Sequence, residues 1–354
     1  MEIKIVKRET LKEKPDFSKL GFGKYFTDHM FMMDYSDKEG WHDFRIVPFD
    51  YIPIWPASTV LHYGAEIFEG MKAYKTKDGY QMFRPTENIK RMNDSAERLC
   101  LPTVSEDIFL KALTELINLD VEWIPKNVGT SLYIRPFMYG NDETLGVHAV
   151  HNATFVIILS PVGAYYAEGL NPVKIIIESE DVRAVRGGTG YAKCGGNYAA
   201  SLRAGKRAES KGFSQVLWLD GVERKYIEEV GAMNVMFKIN GEIITPKLTG
   251  SVLPGITRKS CIEILRDWGY KVTERLISVD ELLEAVEKGV LEEAWGTGTA
   301  AVVSPIGQLT FEDKDYIVSD NKIGELTQKL YDELTGIQWD IREDKRNWTY
   351  KVKI

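Results

Sequence analysis

Gly187-Gly188-Thr189-Gly190-Tyr191-Ala192-Lys193-Cys194-Gly195-Gly196-Asn197-Tyr198 sets five glycines around one lysine within ten residues. Glycine has no Cβ, so the backbone here can approach a ligand closely and adopt positive φ. A lysine held in such a loop away from water loses stabilisation of its charged form, and its amine can act as a nucleophile. Taken alone, the same letters also describe a flexible surface loop with a solvated lysine, and both readings stay open. A dinucleotide-binding loop does not fit, because no strand-then-helix context with a later acid surrounds the Gly-x-Gly spacing.

Outward from this loop the chain alternates. On its C-terminal side Asn197–Lys211 reads as a helix stopped by Gly212, and Gln215–Leu219 as a strand turning at Asp220-Gly221. Ala232–Ile239 and Glu242–Thr245 form a hairpin about Asn240-Gly241. Thr257–Trp268 is helical up to Gly269, Ser278 caps a helix over Val279–Lys288, and Glu325–Leu334 is a late helix. On the N-terminal side Val173–Glu178 is a strand, preceded by the turn-rich stretch from Gly163 to Pro172, which supplies an interdomain linker at 166–172. Further back lie extended runs over Ser131–Tyr139 and Ala153–Val162. A helix opens at Pro85 with Ile89, Met92, Ala96 and Leu99 on one face, and Ser105 caps a second. Met30–Tyr35 and Phe44–Ile54 read as strands joined through Ser36–Gly40. The pattern predicts a mixed α/β (α+β) chain with antiparallel character: a smaller domain at 1–165 and a larger one at 173–354.

Three further segments carry chemistry-bearing residues. Leu253-Pro254-Gly255-Ile256-Thr257-Arg258 runs into a helix whose first N–H groups, at Ile256 and Thr257, could bind an anion; it is also an ordinary helix start. Gly296-Thr297-Gly298-Thr299-Ala300 offers a second oxyanion nest, or a tight turn between strands. In Tyr226-Ile227-Glu228-Glu229-Val230-Gly231-Ala232-Met233-Asn234 one of the paired acids points inward if the segment is extended, and a buried carboxylate needs a partner. The same pair could instead be solvated. Together these segments supply an amine, two anion nests and a buried acid, the set that a phosphorylated aromatic aldehyde cofactor requires.

Composition narrows the alternatives. The 354 residues are 44% hydrophobic and 27% charged, with a net charge of −7 and interspersed signs. No basic face or tail invites nucleic acid, and no apolar run reaches the roughly 18 residues of a membrane span. The N-terminal stretch lacks the apolar core of a signal peptide, which leads us to expect a cytoplasmic protein. Three cysteines without a CxxC pair and five scattered histidines suggest neither a disulfide framework nor a metal site.

The ordered segments resemble the branched-chain amino-acid aminotransferase family of fold-type IV pyridoxal-phosphate enzymes. The resemblance runs through Phe22-Gly23, Phe26-Thr27-Asp28-His29-Met30, His62-Tyr63, Phe68-Glu69-Gly70-Met71-Lys72-Ala73-Tyr74, Phe83-Arg84-Pro85 and Arg91-Met92. It continues through Arg98-Leu99-Cys100-Leu101-Pro102, Gly129-Thr130-Ser131-Leu132-Tyr133-Ile134-Arg135-Pro136, Pro161-Val162-Gly163-Ala164-Tyr165 and the four segments above. It implies two α/β domains with the cofactor site at their interface, and pyridoxal 5'-phosphate as cofactor. Lys193 then matches the catalytic Schiff-base lysine, Glu229 the acid on the pyridine nitrogen, Tyr198 the hydroxyl on the phenolate oxygen, and Arg91 the phosphate-binding arginine. Ile256, Thr257 and Thr299 would complete the phosphate contacts.

The implied reaction is reversible transfer of the amino group of L-leucine, L-isoleucine or L-valine to 2-oxoglutarate by a ping-pong mechanism. The substrate α-carboxylate would sit at Thr299 and Ala300 with Tyr133, and Arg135 would meet the distal carboxylate of glutamate. Phe22, Tyr63, Phe68, Tyr165, Tyr198 and Met233 would form an apolar wall. A methylene is worth only about 1–3 kcal/mol of discrimination, so the three branched substrates should overlap. A homodimer is implied, each subunit borrowing a loop near Leu145–Val147 from the other. D-amino-acid aminotransferases and aminodeoxychorismate lyases share the lysine and the acid, but Tyr133, Arg135 and Gly163-Ala164-Tyr165 argue against them. Two departures stand out. Animal members carry a CxxC redox pair where this chain reads Ala301-Val302-Val303-Ser304, so no such switch is expected. Ala232 replaces a threonine that is common in the larger variety of the family. Cys194 reads as packing rather than as a nucleophile.

Overall fold

The computed structural model describes residues 2–163 and 170–354. The chain forms two compact units: Met1–Tyr165 with Ala192–Gly195 and Ile337–Ile354, and Tyr166–Tyr191 with Gly196–Gly336. The sequence pattern placed everything after residue 173 in the second domain. The structure returns two pieces to the first: the segment bearing Lys193, and the C-terminal stretch. Most of the expected linker, residues 166–169, lies outside the described residues.

The first unit is built on β1 (Lys4–Ile5), β2 (His29–Ser36), β3 (Gly40–Pro48), β4 (Glu66–Phe68), β5 (Met71–Thr76), β6 (Gly79–Phe83), β7 (Ser131–Gly140) and β8 (Asn152–Val162). The strands are ordered β1-β3-β2-β8-β7-β5-β6, with β4 also on β7. β3 stops at Pro48 rather than running to Ile54, because Pro48 and Pro53 cannot donate to a ladder. Helix α1 (Thr59–Tyr63) precedes α2 (Pro85–Arg98) and α3 (Glu106–Leu119). Pro85 sits in the first turn of α2, and Ser105 caps α3 by accepting the Ile108 N–H at 3.3 Å. One face of α2 buries Ile89, Met92 and Ala96, and these pack with Phe109, Leu113, Leu132 and Phe155 in one core. Asn88, Arg91 and Ser95 are buried from the same helix, and that polar stripe builds the site described below.

The second unit contains β9 (Val173–Ile177), α4 (Gly195–Ser210, its first residue in the first unit), β10 (Gln215–Leu219), β11 (Ile227–Val230), β12 (Met233–Ile239), β13 (Glu242–Pro246), α5 (Ile256–Asp267), β14 (Val272–Arg275), α6 (Val279–Glu287), β15 (Leu291–Gly298), β16 (Val302–Phe311), β17 (Lys314–Ile317) and α7 (Glu325–Gln338), whose last two residues belong to the first. The order is β11-β10-β9-β16-β15-β12-β13-β14, and β11 also pairs with β12. That extra pairing closes six strands into a ring and removes the free edge of β11. β15 and β16 are long strands where the sequence showed only a glycine-rich segment. Leu291–Gly298 has poor strand propensity, yet it is held by β12 on one side and β16 on the other. The last strand, β18 (Thr349–Lys353), pairs antiparallel with β6 from Thr349↔Phe83 to Lys353↔Gly79 and completes the first unit's sheet.

Candidate active site

In the first unit Lys193 is fixed by its backbone. Its N–H donates to Ser95 Oγ at 2.9 Å, its carbonyl accepts the Phe68 N–H at 2.9 Å, and Ser95 Oγ in turn donates to the Arg91 carbonyl at 3.0 Å. Its neighbours Ala192 and Cys194 are buried in the hydrophobic core. The glycine-rich stretch is therefore an anchored segment, and Cys194 is a packing residue. Part of the Lys193 side chain remains accessible, while its amine lies 4.7 Å from the centre of the Phe68 ring. Burial, then the positive charge of Arg91, pushes its pKa down to about 8, against the opposing pull of Glu69 and Tyr133. An amine in that range has a neutral fraction of about a tenth at pH 7, far more than an ordinary lysine, and the neutral form is what a nucleophile or general base must supply.

Arg91 is held by Glu69, a fully buried carboxylate that sequence reading did not single out. Arg91 Nε and Nη2 donate to its two oxygens at 2.7 and 2.9 Å, a fork-to-fork contact that fixes the guanidinium plane. Asn88 Nδ2 and the Gly70 N–H add donors to Glu69 Oε2 at 2.8 and 3.1 Å. Burial would raise the Glu69 pKa, but the Arg91 charge and hydrogen bond outweigh it and hold the carboxyl below its usual range. Along β7, Tyr133 and Arg135 share a face by strand alternation. Arg135 Nη2 donates to Tyr133 Oη at 3.0 Å, and the guanidinium lies 4.6 Å from the Phe68 ring centre. Phe22 meets Tyr133 edge-on at 4.9 Å. Gly70 permits this arrangement, since a Cβ there would collide with the Tyr133 hydroxyl. Lys193, Arg91, Phe68, Tyr133, Arg135 and Phe22 are thus one constellation.

Tyr63 stands apart from that constellation. Its hydroxyl accepts the Gly146 N–H at 2.8 Å on an exposed surface shared with Leu145 and Val147. Tyr165 lies outside the described residues.

The second unit arranges its own set. Glu229 and Glu228 alternate across β11. Glu229 Oε2 pairs with Arg183 Nη2 at 2.6 Å, and its Oε1 accepts Asn234 Nδ2 at 3.0 Å from the adjoining strand β12. Glu228 instead accepts Ser251 Oγ, and burial raises its pKa. Arg183 and Asn234 also escaped sequence reading. Arg183 has no motif around it, but Asn234 lies directly opposite Glu229 across the β11–β12 turn and could have been paired with it. Ile256 and Thr257 are buried at the start of α5, where no side chain caps the helix. Thr299 and Ala300 lie half-buried in the turn joining β15 to β16, and Thr297 Oγ1 is buried with no hydrogen-bond partner among the described residues. Met233 packs over Gly296 and Gly298, where a side chain at Gly296 would meet its Cε at 2.8 Å. Tyr198 is half-buried in the first turn of α4.

Among the described residues there is no grouping of ligands that could hold a metal, and no helix long and apolar enough to cross a membrane. Each unit by itself carries groups of the kind a phosphorylated pyridine aldehyde takes: the Lys193 amine in the first, and the paired carboxylate, the uncapped helix start and the orphaned Thr297 hydroxyl in the second.

Comparison with known proteins leads to the same chemistry. The family model for amino-transferase class IV matches residues 66–309. A probable branched-chain-amino-acid aminotransferase of Staphylococcus aureus (strain MRSA252) is 56% identical over 99% of this chain and 98% of its own length. Among solved structures, the Escherichia coli branched-chain amino acid aminotransferase aligns with TM-score 0.76 and 27% identity, covering 92% of this chain and 99% of that one. The T.th. branched-chain amino acid aminotransferase, complexed with N-(5'-phosphopyridoxyl)-L-glutamate, aligns with TM-score 0.74 and 26% identity over 94% and 98%. With its lysine, its acid and these relatives taken together, the chain belongs to the class IV aminotransferases.

Proposed function

We propose that the protein moves the amino group of L-leucine, L-isoleucine or L-valine to 2-oxoglutarate, with pyridoxal 5'-phosphate as its cofactor. The observation that carries this reading is the Lys193 amine, its pKa lowered to about 8, set against Phe68 and flanked by the Arg91–Glu69 and Arg135–Tyr133 pairs. The cofactor, when bound, supplies an electron sink for the charge left on the substrate α-carbon. Lys193 would hold it through its amine, and the same amine would move the proton of that carbon. Glu229, its charge compensated by Arg183, would meet the pyridine nitrogen, and Tyr198 would offer its hydroxyl to the phenolate oxygen. Arg91 would meet the phosphate, and Ile256, Thr257 and Thr299 would add N–H groups and a hydroxyl.

Thr299, Ala300 and Tyr133 orient the α-carboxylate. Arg135 would receive the distal carboxylate in the glutamate half-reaction, and Phe22, Phe68, Tyr165 and Met233 would shelter the branched side chain. Leu61, Tyr63, Leu145 and Val147 expose apolar surface together with Tyr51 and Trp55, which supports a homodimer whose partner copy covers that face.

The test is spectroscopic. The purified protein should show a visible cofactor band that L-leucine bleaches and 2-oxoglutarate restores, and Lys193→Ala should lose the cycle. A band indifferent to L-leucine but responsive to D-alanine would overturn the substrate reading.

A further inference from the structure

Glu66 opens β4 with a half-buried carboxylate that the chemistry above does not use. One of its oxygens accepts the N–H of Gly195, the residue that follows Cys194 and begins α4. A Cβ at Gly195 would land on that same oxygen, so the contact depends on glycine at that position. Two residues further along the strand, on the same face, stands Phe68. Its N–H holds the Lys193 carbonyl, and its ring lies 4.7 Å from the Lys193 amine and 4.6 Å from the Arg135 guanidinium. Burial pushes the Glu66 pKa up, while the Gly195 N–H and the Arg135 charge pull it back. A three-residue strand therefore carries at one end a carboxylate within the field of Arg135, and at the other the ring on which Arg135 lies.

We propose that Glu66 is a positioning residue that sets the balance between dicarboxylic and branched apolar substrates. Its negative charge offsets that of Arg135, so the arginine holds a distal carboxylate loosely enough to release it and to admit an apolar side chain in the other half-reaction. Its hydrogen bond to Gly195 ties the lysine segment to the strand bearing Phe68. The inference rests on the role given to Arg135 in the preceding subsection.

The experiment measures calorimetric binding of two unreactive probes, glutarate and 4-methylpentanoate, to the holoenzyme at pH 8, with KM values for 2-oxoglutarate and 4-methyl-2-oxopentanoate alongside. Glu66→Gln keeps an acceptor for the Gly195 N–H and removes the charge. It should tighten glutarate about 3- to 10-fold, in keeping with one charge acting on another in a partly screened site, while 4-methylpentanoate moves by less than about twofold. The KM for 2-oxoglutarate should fall in step. In an Arg135→Gln background the same Glu66→Gln change should leave glutarate binding within about twofold, because the charge being offset is gone. Equal shifts for both probes, weaker glutarate binding in Glu66→Gln, or an effect that persists without Arg135 would each overturn the proposal. A wild-type enzyme that fails to transaminate L-leucine would refute the function itself, an outcome separate from any of these.

Discussion

Two buried arginine–glutamate pairs, one in each unit, use the same letters for opposite purposes. Arg91 meets Glu69 at 2.7 Å, and Arg183 meets Glu229 at 2.6 Å. In the first unit the glutamate is the support. It is fully enclosed, it is saturated by Arg91, Asn88 and Gly70, and its work is to aim a cation. In the second unit we propose the reverse: the arginine is the support, and Glu229 is the group presented for chemistry. Buried ion pairs are weak evidence of stability, because desolvation cancels much of their attraction. What they secure is the orientation and charge of one member. What lies beside each pair differs: a lowered-pKa amine near Arg91, and a second strand's asparagine beside Glu229.

The comparison can be broken most severely at Glu69. Glu69→Ala strands a buried guanidinium and should cost about 3–5 kcal/mol in chemical denaturation, whereas removing both partners as Glu69→Leu with Arg91→Met should recover most of that stability without recovering activity. If the single and double variants were equally unstable, the pair would be incidental packing. Arg183→Met comes next. Glu229 keeps its Asn234 contact, so the loss should be smaller, about 2–4 kcal/mol by the same measurement, and kcat should fall with it. Unchanged kcat would remove Arg183 from the functional side of the comparison.

A pH series sharpens the first pair. With the Lys193 pKa near 8 rather than the ordinary 10.5, about a tenth of the amine is neutral at pH 7 instead of less than about a thousandth. Cofactor uptake by the apoenzyme, followed by absorbance, should accelerate with rising pH and level off above about 8. Glu69 raises this pKa, so Glu69→Gln should move the bend to lower pH. The sign for stability follows. Between about 8 and 10.5 the folded apoenzyme binds fewer protons at Lys193 than the unfolded chain does, so this group's contribution favours folding increasingly as pH rises through that window. The smallest effect is expected for Ser95→Ala, which removes one acceptor from the Lys193 N–H and should cost about 0.5–1.5 kcal/mol.

What could be read in advance tracks the range of the interactions. The 3.6-residue pattern of α2, the Ser105 cap on α3 and the lysine, acid and glycine segments are local, and each appears in the letters themselves. Arg91 was legible as a ligand-binding residue by resemblance, but Glu69 and Arg183 were not, because a counter-ion twenty or more residues away has no periodicity. The polar stripe Asn88, Arg91 and Ser95 was available all along as three polar residues on an otherwise apolar helix face. The ring closed by β11 and β12, and the long β15 and β16, come from pairing partners rather than from propensity. β3 ran too far in the sequence reading because its apolar residues continue past the prolines that end its ladder.

The pairing of β18 with β6 has a temporal consequence. Besides that ladder, the Gln81 amide donates to the carbonyls of Ile337 and Gln338 at 2.8 and 2.9 Å, and the Arg84 N–H donates to the Trp348 carbonyl at 2.7 Å. While the chain is being synthesised, the edge of β6 waits for more than two hundred and fifty later residues before its partner arrives. The second unit can close its ring first, and the unit that begins the chain is the last to be finished. Stalled chains ending near residue 336 should accordingly be protease-resistant in 196–336 and sensitive around Gly79–Phe83, and equal protection of both regions would refute that order.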